Sequence, residues 1–492
     1  MRLAAALRRP EAAISVSFLA VAVYLLGGDV ALLGMTAGLP LLVFLFQRLW
    51  PGRAEKPVSD QVIDRLDGVL QDRTAGPRQT GCLVLQFDDT AWLCDRHGRK
   101  LQSEILSACI GRIKGALRPG DQLFPLEDGS LVVVLAPTQR LDLAGMTQIA
   151  GRLQLVAQQP MILGESSVQL TCCIGFCHAR QISIESGRAM LEAAQIAADE
   201  AMQHRPGAIR AYTAELALIR ASRDALRSDF AEAVASGQVR AYFQPQVSTD
   251  SGEVSGMEAL ARWQHPERGL LAPGDFLPAL QGTDLMKLLG REMVSQSLKA
   301  LVSWTQAGLS VPAVAVNFSP QELGDPELPD RLAWAVDAHN LTPDRLTVEV
   351  LEQLVAGAGD GMVRRNLDRL AGMGFGIDLD DFGTGNASIT TIRHFALRRL
   401  KIDRSFVRGV DHIRDQQNLV TAILSLAEQL GLEAVAEGVE TPAEHAMLAQ
   451  LGCAHVQGYV IAKPLAPEDA DAWLRQHRQR LQKVLRLEMR AR

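Results

Sequence analysis

From Arg240 onward the chain repeats a single pattern: a short apolar strand, a polar or glycine-rich loop, then an amphipathic helix. The strand segments are RAYFQPQV, VSGMEALARW, PAVAVNF, RLTVEV, FGIDLDD, RRLKID, EAVAEGV and HVQGYVI. Parallel strands need a long crossover, usually a helix, between them. Eight such repeats over roughly 240 residues match the size of a closed β/α barrel. That architecture sets a condition on function, because its chemistry collects at the C-terminal ends of the strands. The polar residues meet it. Glu258 interrupts its apolar strand, Asn317 ends VAVN, Glu349 lies in LTVEV, and Asp380 and Asp381 end GIDLDD. Lys401 and Asp403 lie in LKID, Glu437 follows AVA, and Gln457 closes HVQ.

Carboxylates gathered on one rim repel each other and lose hydration, so they need cations to hold them. Donors that are all oxygen select hard divalent ions, Mg²⁺ or Mn²⁺, over zinc. The adjacent pair Asp380-Asp381 allows one carboxylate to be shared by two ions, an arrangement suited to in-line displacement at phosphorus. Taken singly, each piece is weak. Glu-Ala-Leu is common in helices, DDFGTG is compatible with a tight turn, and LKID with a half-exposed strand. The ordered set carries the weight, because unrelated turns would not put every acid at a strand end.

The module from about Arg240 to Trp473 resembles the EAL-type cyclic di-GMP phosphodiesterase domain, carrying FQPQV, EALARW, VNFS, EVLE, DLDDFGTG, LKID, AEGVE and QGYVIAKPL in order. The resemblance implies a barrel with one irregular strand, hydrolysis of cyclic di-GMP to linear pGpG, two Mg²⁺ or Mn²⁺ ions, and a homodimer. It places the first metal on Glu258, Asn317, Glu349 and Asp380, and the second on Asp380, Asp381 and Glu437. Lys401 is then expected beside the attacking water and the phosphate, with Lys401, Glu437, Glu258 and Asp381 as the catalytic set. Gln457 is expected to orient a bound water. Gln244, Leu260 and Arg262 are expected on the substrate, and Glu352, Asp403 and Glu440 in support. Three departures stand out. Asn386-Ala387 replaces the family's usual Tyr-Ser in the loop after DFGTG, and Gln281 and Asp284 replace a usual acid and a usual glycine. The altered loop keeps open a catalytically silent cyclic di-GMP receptor that signals through protein contacts.

The remainder of the chain sets the context. At 492 residues, two or three domains are expected. A net charge of −6 and only 5% aromatic residues argue against DNA or RNA as partners. Seven scattered cysteines without a CxxC pair argue against a disulfide framework or a zinc site. Near the N-terminus, residues 12–28 and 30–46 are two apolar runs with Arg2, Arg8, Arg9, Arg48 and Arg53 at their outer ends. These flanks predict a transmembrane hairpin with both ends cytoplasmic. Residues 80–213 read as an α+β domain and resemble a degenerate GGDEF domain. Glu127-Asp128-Gly129-Ser130-Leu131 stands at the signature hairpin, Gln86 at the metal-binding acid and Cys94 at the guanine-contacting asparagine, so no cyclase activity is expected. Arg118-Pro-Gly-Asp121 has the spacing of that family's inhibitory nucleotide site, but its Pro-Gly favours a charged turn that starts a strand.

The expected organisation is a membrane anchor (1–53), a linker helix (54–79), the degenerate GGDEF domain (80–213), a connecting helix (214–237), the EAL barrel (238–480) and a basic tail (481–492). The fold class is α/β: a TIM-like β/α barrel preceded by an α+β domain and a transmembrane helical hairpin. The expected location is the inner membrane of a bacterium, with the barrel in the cytoplasm.

Overall fold

A computed structural model describes residues 57–71, 79–88, 104–163, 166–182, 186–357, 361–385 and 388–491. The chain divides at Arg220 into two compact units. The two apolar N-terminal runs, Cys94 and Asn386-Ala387 lie outside the described residues. Among the described residues, no helix is long and apolar enough to cross a membrane.

In the first unit, strands β1 (Gly81–Phe87), β2 (Gln122–Pro125), β3 (Leu131–Val134), β6 (Cys172–His178) and β7 (Ile209–Ala211) form one sheet in the order β2-β3-β1-β6-β7. A separate hairpin pairs β4 (Met161–Leu163) with β5 (Ser166–Val168). Every residue of β6 is buried, which is why CCIGFCH reads as an unbroken apolar run rather than an alternating one. Six cysteines are buried and unpaired here and in the barrel. The alanine-rich helix Gly187–Gln203 lies directly on β6. At Gly175 a Cβ would stand 1.8 Å from the Ala198 nitrogen, so glycine is what lets helix and sheet approach.

The helix Val58–Gln71 buries Val62, Leu66 and Val69 against this same unit. Asp67 Oδ1 accepts a 2.6 Å hydrogen bond from the Gly187 nitrogen. The segment read from sequence as a linker is therefore part of the unit's core. Helix Ala214–Ala235 buries Leu226, Phe230 and Ala233 in the core of the second unit, where Phe230 packs edge-on to Trp263 at 5.4 Å.

The second unit contains all eight expected strands: β8 (Val239–Ser248), β9 (Val254–His265), β11 (Val314–Asn317), β12 (Leu346–Leu351), β13 (Gly376–Phe382), β14 (Arg399–Ile402), β15 (Glu433–Ala436) and β16 (His455–Gln457). A short β10 (Gly269–Leu271) extends the edge beside β9. From β9 through β16 the barrel neighbours are parallel, while β8 runs antiparallel to both β9 and β16 and closes the ring. The irregular strand is thus the first one. Its register sets Gln244 opposite Glu258 and Gln246 opposite Gln457. Around the ring, Ala315 pairs with Glu258, Asn317 with Glu349 and Leu351 with Asp380, which draws the acids to one end of the barrel. The basic C-terminal segment continues the helix Pro467–Ala491 without a break.

Close backbone contact also places the last acidic loop. A Cβ at Gly458 would lie 2.1 Å from the Val439 carbonyl oxygen, two residues beyond Glu437. Gly458→Ala is expected to push that loop outward and to cost about 1–3 kcal/mol, the usual range for overpacking, read from the denaturant midpoint.

Candidate functional site

The site is built on a bulge. Register shifts between Leu379 and Phe382 on β13, and Asp381 takes a left-handed backbone with φ of 53°. In a regular strand, neighbouring side chains point to opposite faces. Here the kink re-aims consecutive residues, as bulges near active sites do, and both Asp380 and Asp381 join the acidic cluster. The Asp381 nitrogen donates to Asp380 Oδ1 at 3.0 Å, which supports the strained geometry. Glu352 holds the following loop: its Oε2 accepts from the Gly383 nitrogen at 2.8 Å and from the Gly385 nitrogen at 3.0 Å.

Two groups of three acids result. Glu258, Glu349 and Asp380 have oxygens within 4.8 Å of one another, and so do Asp380, Asp381 and Glu437. Asp380 belongs to both, the shared position that the motifs imply. Asn317 bridges two members of the first group, its Nδ2 donating to Glu258 Oε1 and to Glu349 Oε2, each at 3.0 Å.

Lys401 stands at the centre, with only 1% of its side chain exposed. Its Nζ lies 2.6 Å from Glu437, 2.8 Å from Glu349, 3.0 Å from Asp380 and 3.4 Å from Glu258. Burial by itself would lower this lysine, but the surrounding carboxylates outweigh it and hold the ammonium well above its ordinary range. Burial pushes Glu349 well up, and pushes Glu437 up to about 8, with neighbouring acids adding to both shifts. Burial also raises Asp381, with Asp380 and Asp403 adding to it. Glu258 goes the other way. Burial opposes its charge, yet Lys401 and hydrogen bonds from Gln457 and Asn317 hold it below the ordinary range. One ammonium among five carboxylates leaves uncompensated negative charge in a water-poor place. Glu349 Oε1 and Glu437 Oε1 are buried there with no hydrogen bond beyond that ion pairing. An all-oxygen donor set with surplus negative charge fits hard divalent cations.

The remaining expected residues separate into groups. Gln244 accepts from Gln457 Nε2 at 3.1 Å and is buried beside the acids. Gln457 spends its amide on protein partners: Nε2 also donates to Glu258 Oε2 at 2.6 Å, and Oε1 accepts from Gln246 Nε2 at 2.8 Å. Leu260 and Arg262 lie farther along β9, with the Arg262 guanidinium 5.8 Å from the centre of the Tyr242 ring. Asp403 caps the short helix Arg404–Val407 through the Ser405 nitrogen. Glu440 is exposed.

The loop carrying Glu437 is held instead by Glu444, which accepts from the backbone nitrogens of Gly409, Glu440 and Thr441 at 2.9–3.0 Å. Sequence reading missed Glu444, although Thr441-x-x-Glu444 is a capping-box signature. It also missed Gln246, Asp378 and Arg399, which lie beneath the acids.

In the first unit, Gln86 donates to Asp199 at 3.2 Å, and Asp128 closes its own turn by accepting from the Ser130 nitrogen and hydroxyl. Asp121 uses both oxygens on backbone, from Arg118 at 3.0 Å and Ala136 at 2.8 Å, so the RPGD segment is a turn held by its aspartate.

Residues 227–464 match the EAL domain model, and residues 61–206 match the model described as diguanylate cyclase, GGDEF domain. The chain carries an EAL domain preceded by a GGDEF domain. It is 30% identical over 409 residues to the bifunctional diguanylate cyclase/cyclic di-GMP phosphodiesterase MucR of Pseudomonas aeruginosa, covering 82% of this chain and 58% of that protein. It is 27% identical over 406 residues to the cyclic di-GMP phosphodiesterase PdeR of Escherichia coli, covering 82% of this chain and 60% of the relative. The chain thus spans about three-fifths of the length of these curated relatives. Among solved structures, the MucR phosphodiesterase in complex with c-di-GMP is 35% identical over 50% of this chain and 99% of its own, with a TM-score of 0.48.

Two outcomes follow from the electrostatics of the EAL domain. Lys401→Met leaves four carboxylates without their counter-ion. It is expected to destabilise the EDTA-treated chain by about 3–5 kcal/mol, the range for breaking a buried pair, with Mn²⁺ recovering most of the loss in a denaturant titration. Glu437, raised to about 8, favours the protonated folded form, so its contribution to stability is present below the ordinary carboxylate range and is lost as pH rises through 8. Between pH 6 and 8.5, the metal-free chain is expected to lose more stability than Glu437→Gln, measured by unfolding midpoints.

Proposed function

We propose that this chain hydrolyses cyclic di-GMP to linear pGpG in a metal-dependent reaction at the EAL domain. The observation that carries this reading is the pair of oxygen-donor groups sharing Asp380, with a buried lysine between them. Glu258, Asn317, Glu349 and Asp380 would hold one divalent ion, and Asp380, Asp381 and Glu437 a second. Bound there, such ions supply an activated water and charge stabilisation for displacement at phosphorus. The new bond joins the water oxygen to phosphorus, one bridging phosphorus–oxygen ester bond breaks, and the departing sugar oxygen takes a proton.

The chain's own residues do the positioning. Lys401 is a buried cation at the point where negative charge would grow on the phosphate. The guanidinium of Arg262 offers a planar fork for a phosphate oxygen. Glu352 and Glu444 keep the loops of Asp381 and Glu437 from moving. The activities of the relatives MucR and PdeR support the same substrate.

For the GGDEF domain the proposed role is regulatory, without GTP condensation. Gln86 takes the place of an expected metal-binding acid, and Asp128 is committed to its own turn. Attachment to the inner membrane by residues 1–53 and homodimerisation complete the proposal.

The test is a chromatographic product assay on the purified full chain with Mg²⁺ or Mn²⁺. Conversion to pGpG is expected, falling at least about 100-fold in Glu258→Ala, which loses a donor of the first group. Tight cyclic di-GMP binding without product under saturating metal would make the domain a receptor instead, and retained turnover in the variant would refute the metal assignment.

A further inference from the structure

Barrel interiors are normally filled by layers of apolar side chains. Beneath the acids of this barrel the next layer is polar. Asp378, Arg399 and Gln246 each stand two positions from a member of the upper cluster, Asp380, Lys401 and Gln244, and so share its inward face. All three are buried, Asp378 and Gln246 completely. Arg399 Nε donates to Asp378 Oδ2 at 2.7 Å, and its NH1 donates to Gln246 Oε1 at 2.8 Å. From there the chain of hydrogen bonds climbs through Gln246 Nε2 and Gln457 Oε1 to Gln457 Nε2 and Glu258 Oε2. Gly256 on β9 leaves the space, since a Cβ there would stand 2.9 Å from Gln246 Oε1 and 3.6 Å from Arg399 NH1.

The direction of this relay follows from donor chemistry. A guanidinium has donors and no acceptor. Gln246 must therefore turn its oxygen toward Arg399 and its NH₂ upward, which turns the oxygen of Gln457 down and its NH₂ toward Glu258. Reversing Gln457 would set a carbonyl oxygen against the Glu258 carboxylate.

We propose that Arg399, held by Asp378 and acting through Gln246, is a positioning residue that fixes which end of the Gln457 amide meets Glu258 and so readies Glu258 as a metal ligand. This rests on the metal-dependent reading above. Arg399 touches none of the five clustered acids in the hydrogen bonds and ion pairs of the described residues.

The test is Mn²⁺ binding to the full chain, followed by the electron paramagnetic resonance signal of free Mn²⁺, with no substrate present. In Gln246→Glu the new carboxylate still accepts from Arg399 but has no proton to donate to Gln457. Mn²⁺ affinity is expected to fall about 10–100-fold, as for losses behind a ligand elsewhere, while the metal-free unfolding midpoint changes little. Should that variant fold poorly, the double variant Asp378→Leu with Arg399→Met removes both charges together and is expected to weaken Mn²⁺ binding in the same range. Parental affinity in a folded variant overturns the proposal alone. An unaltered chain that binds no Mn²⁺ overturns the metal reading and this proposal with it.

Discussion

A single buried ammonium organises the acidic end of the barrel. Lys401 meets four carboxylates from four other parts of the ring, and no apolar substitute could hold those charges together. The pairing is uneven by design of the site: one positive charge faces five acids. The imbalance shows in opposite shifts within one cluster, with Glu258 held ionised by Lys401 and its hydrogen bonds, and Glu349 and Glu437 driven toward protonation by burial. A site in that condition favours incoming cations, and cation binding is coupled to proton release.

The geometry around that lysine depends on backbone irregularities. The bulge and left-handed residue on β13 bring adjacent aspartates into one cluster, and the antiparallel β8 brings Gln244 and Gln246 down the inside of the ring in the reverse order to the other strands. As a result, the amides of β8 and β16 link the acidic rim to a buried charge pair one layer below. The support is a directed hydrogen-bond relay, and its polarity is set at the end remote from the acids.

In the first unit the carboxylates stand in a different environment. Its acids at the opening strand and the hairpin are hydrogen-bonded within the unit. Asp128 closes a turn, Asp121 ties two backbone nitrogens, and Asp88 accepts from Cys173 and from the Gly207 nitrogen. Each of these carboxylates is engaged by hydrogen-bond donors of the same unit. In the barrel, by contrast, the acids are left facing one another.

Much of the barrel was legible from sequence, because each strand is a short apolar run ending in a polar residue and each loop is marked by glycine or a cap. The acids at strand ends could be named for the same reason: a charge at the end of an apolar run is costly without a purpose. Helix Val58–Gln71 reads from sequence as a linker helix because its three buried positions leave most of its surface polar, and only the docking against Gly187 reveals its core face. Gln246, Asp378 and Arg399 stand short of the C-terminal ends of their strands, where position along the chain does not mark them. Which way each points depends on the ring's closure, and whether it is satisfied depends on partners as many as 211 residues away. Local periodicity and turn chemistry are written along the chain. The pairing of buried charges and the direction of amides are set only where distant strands meet.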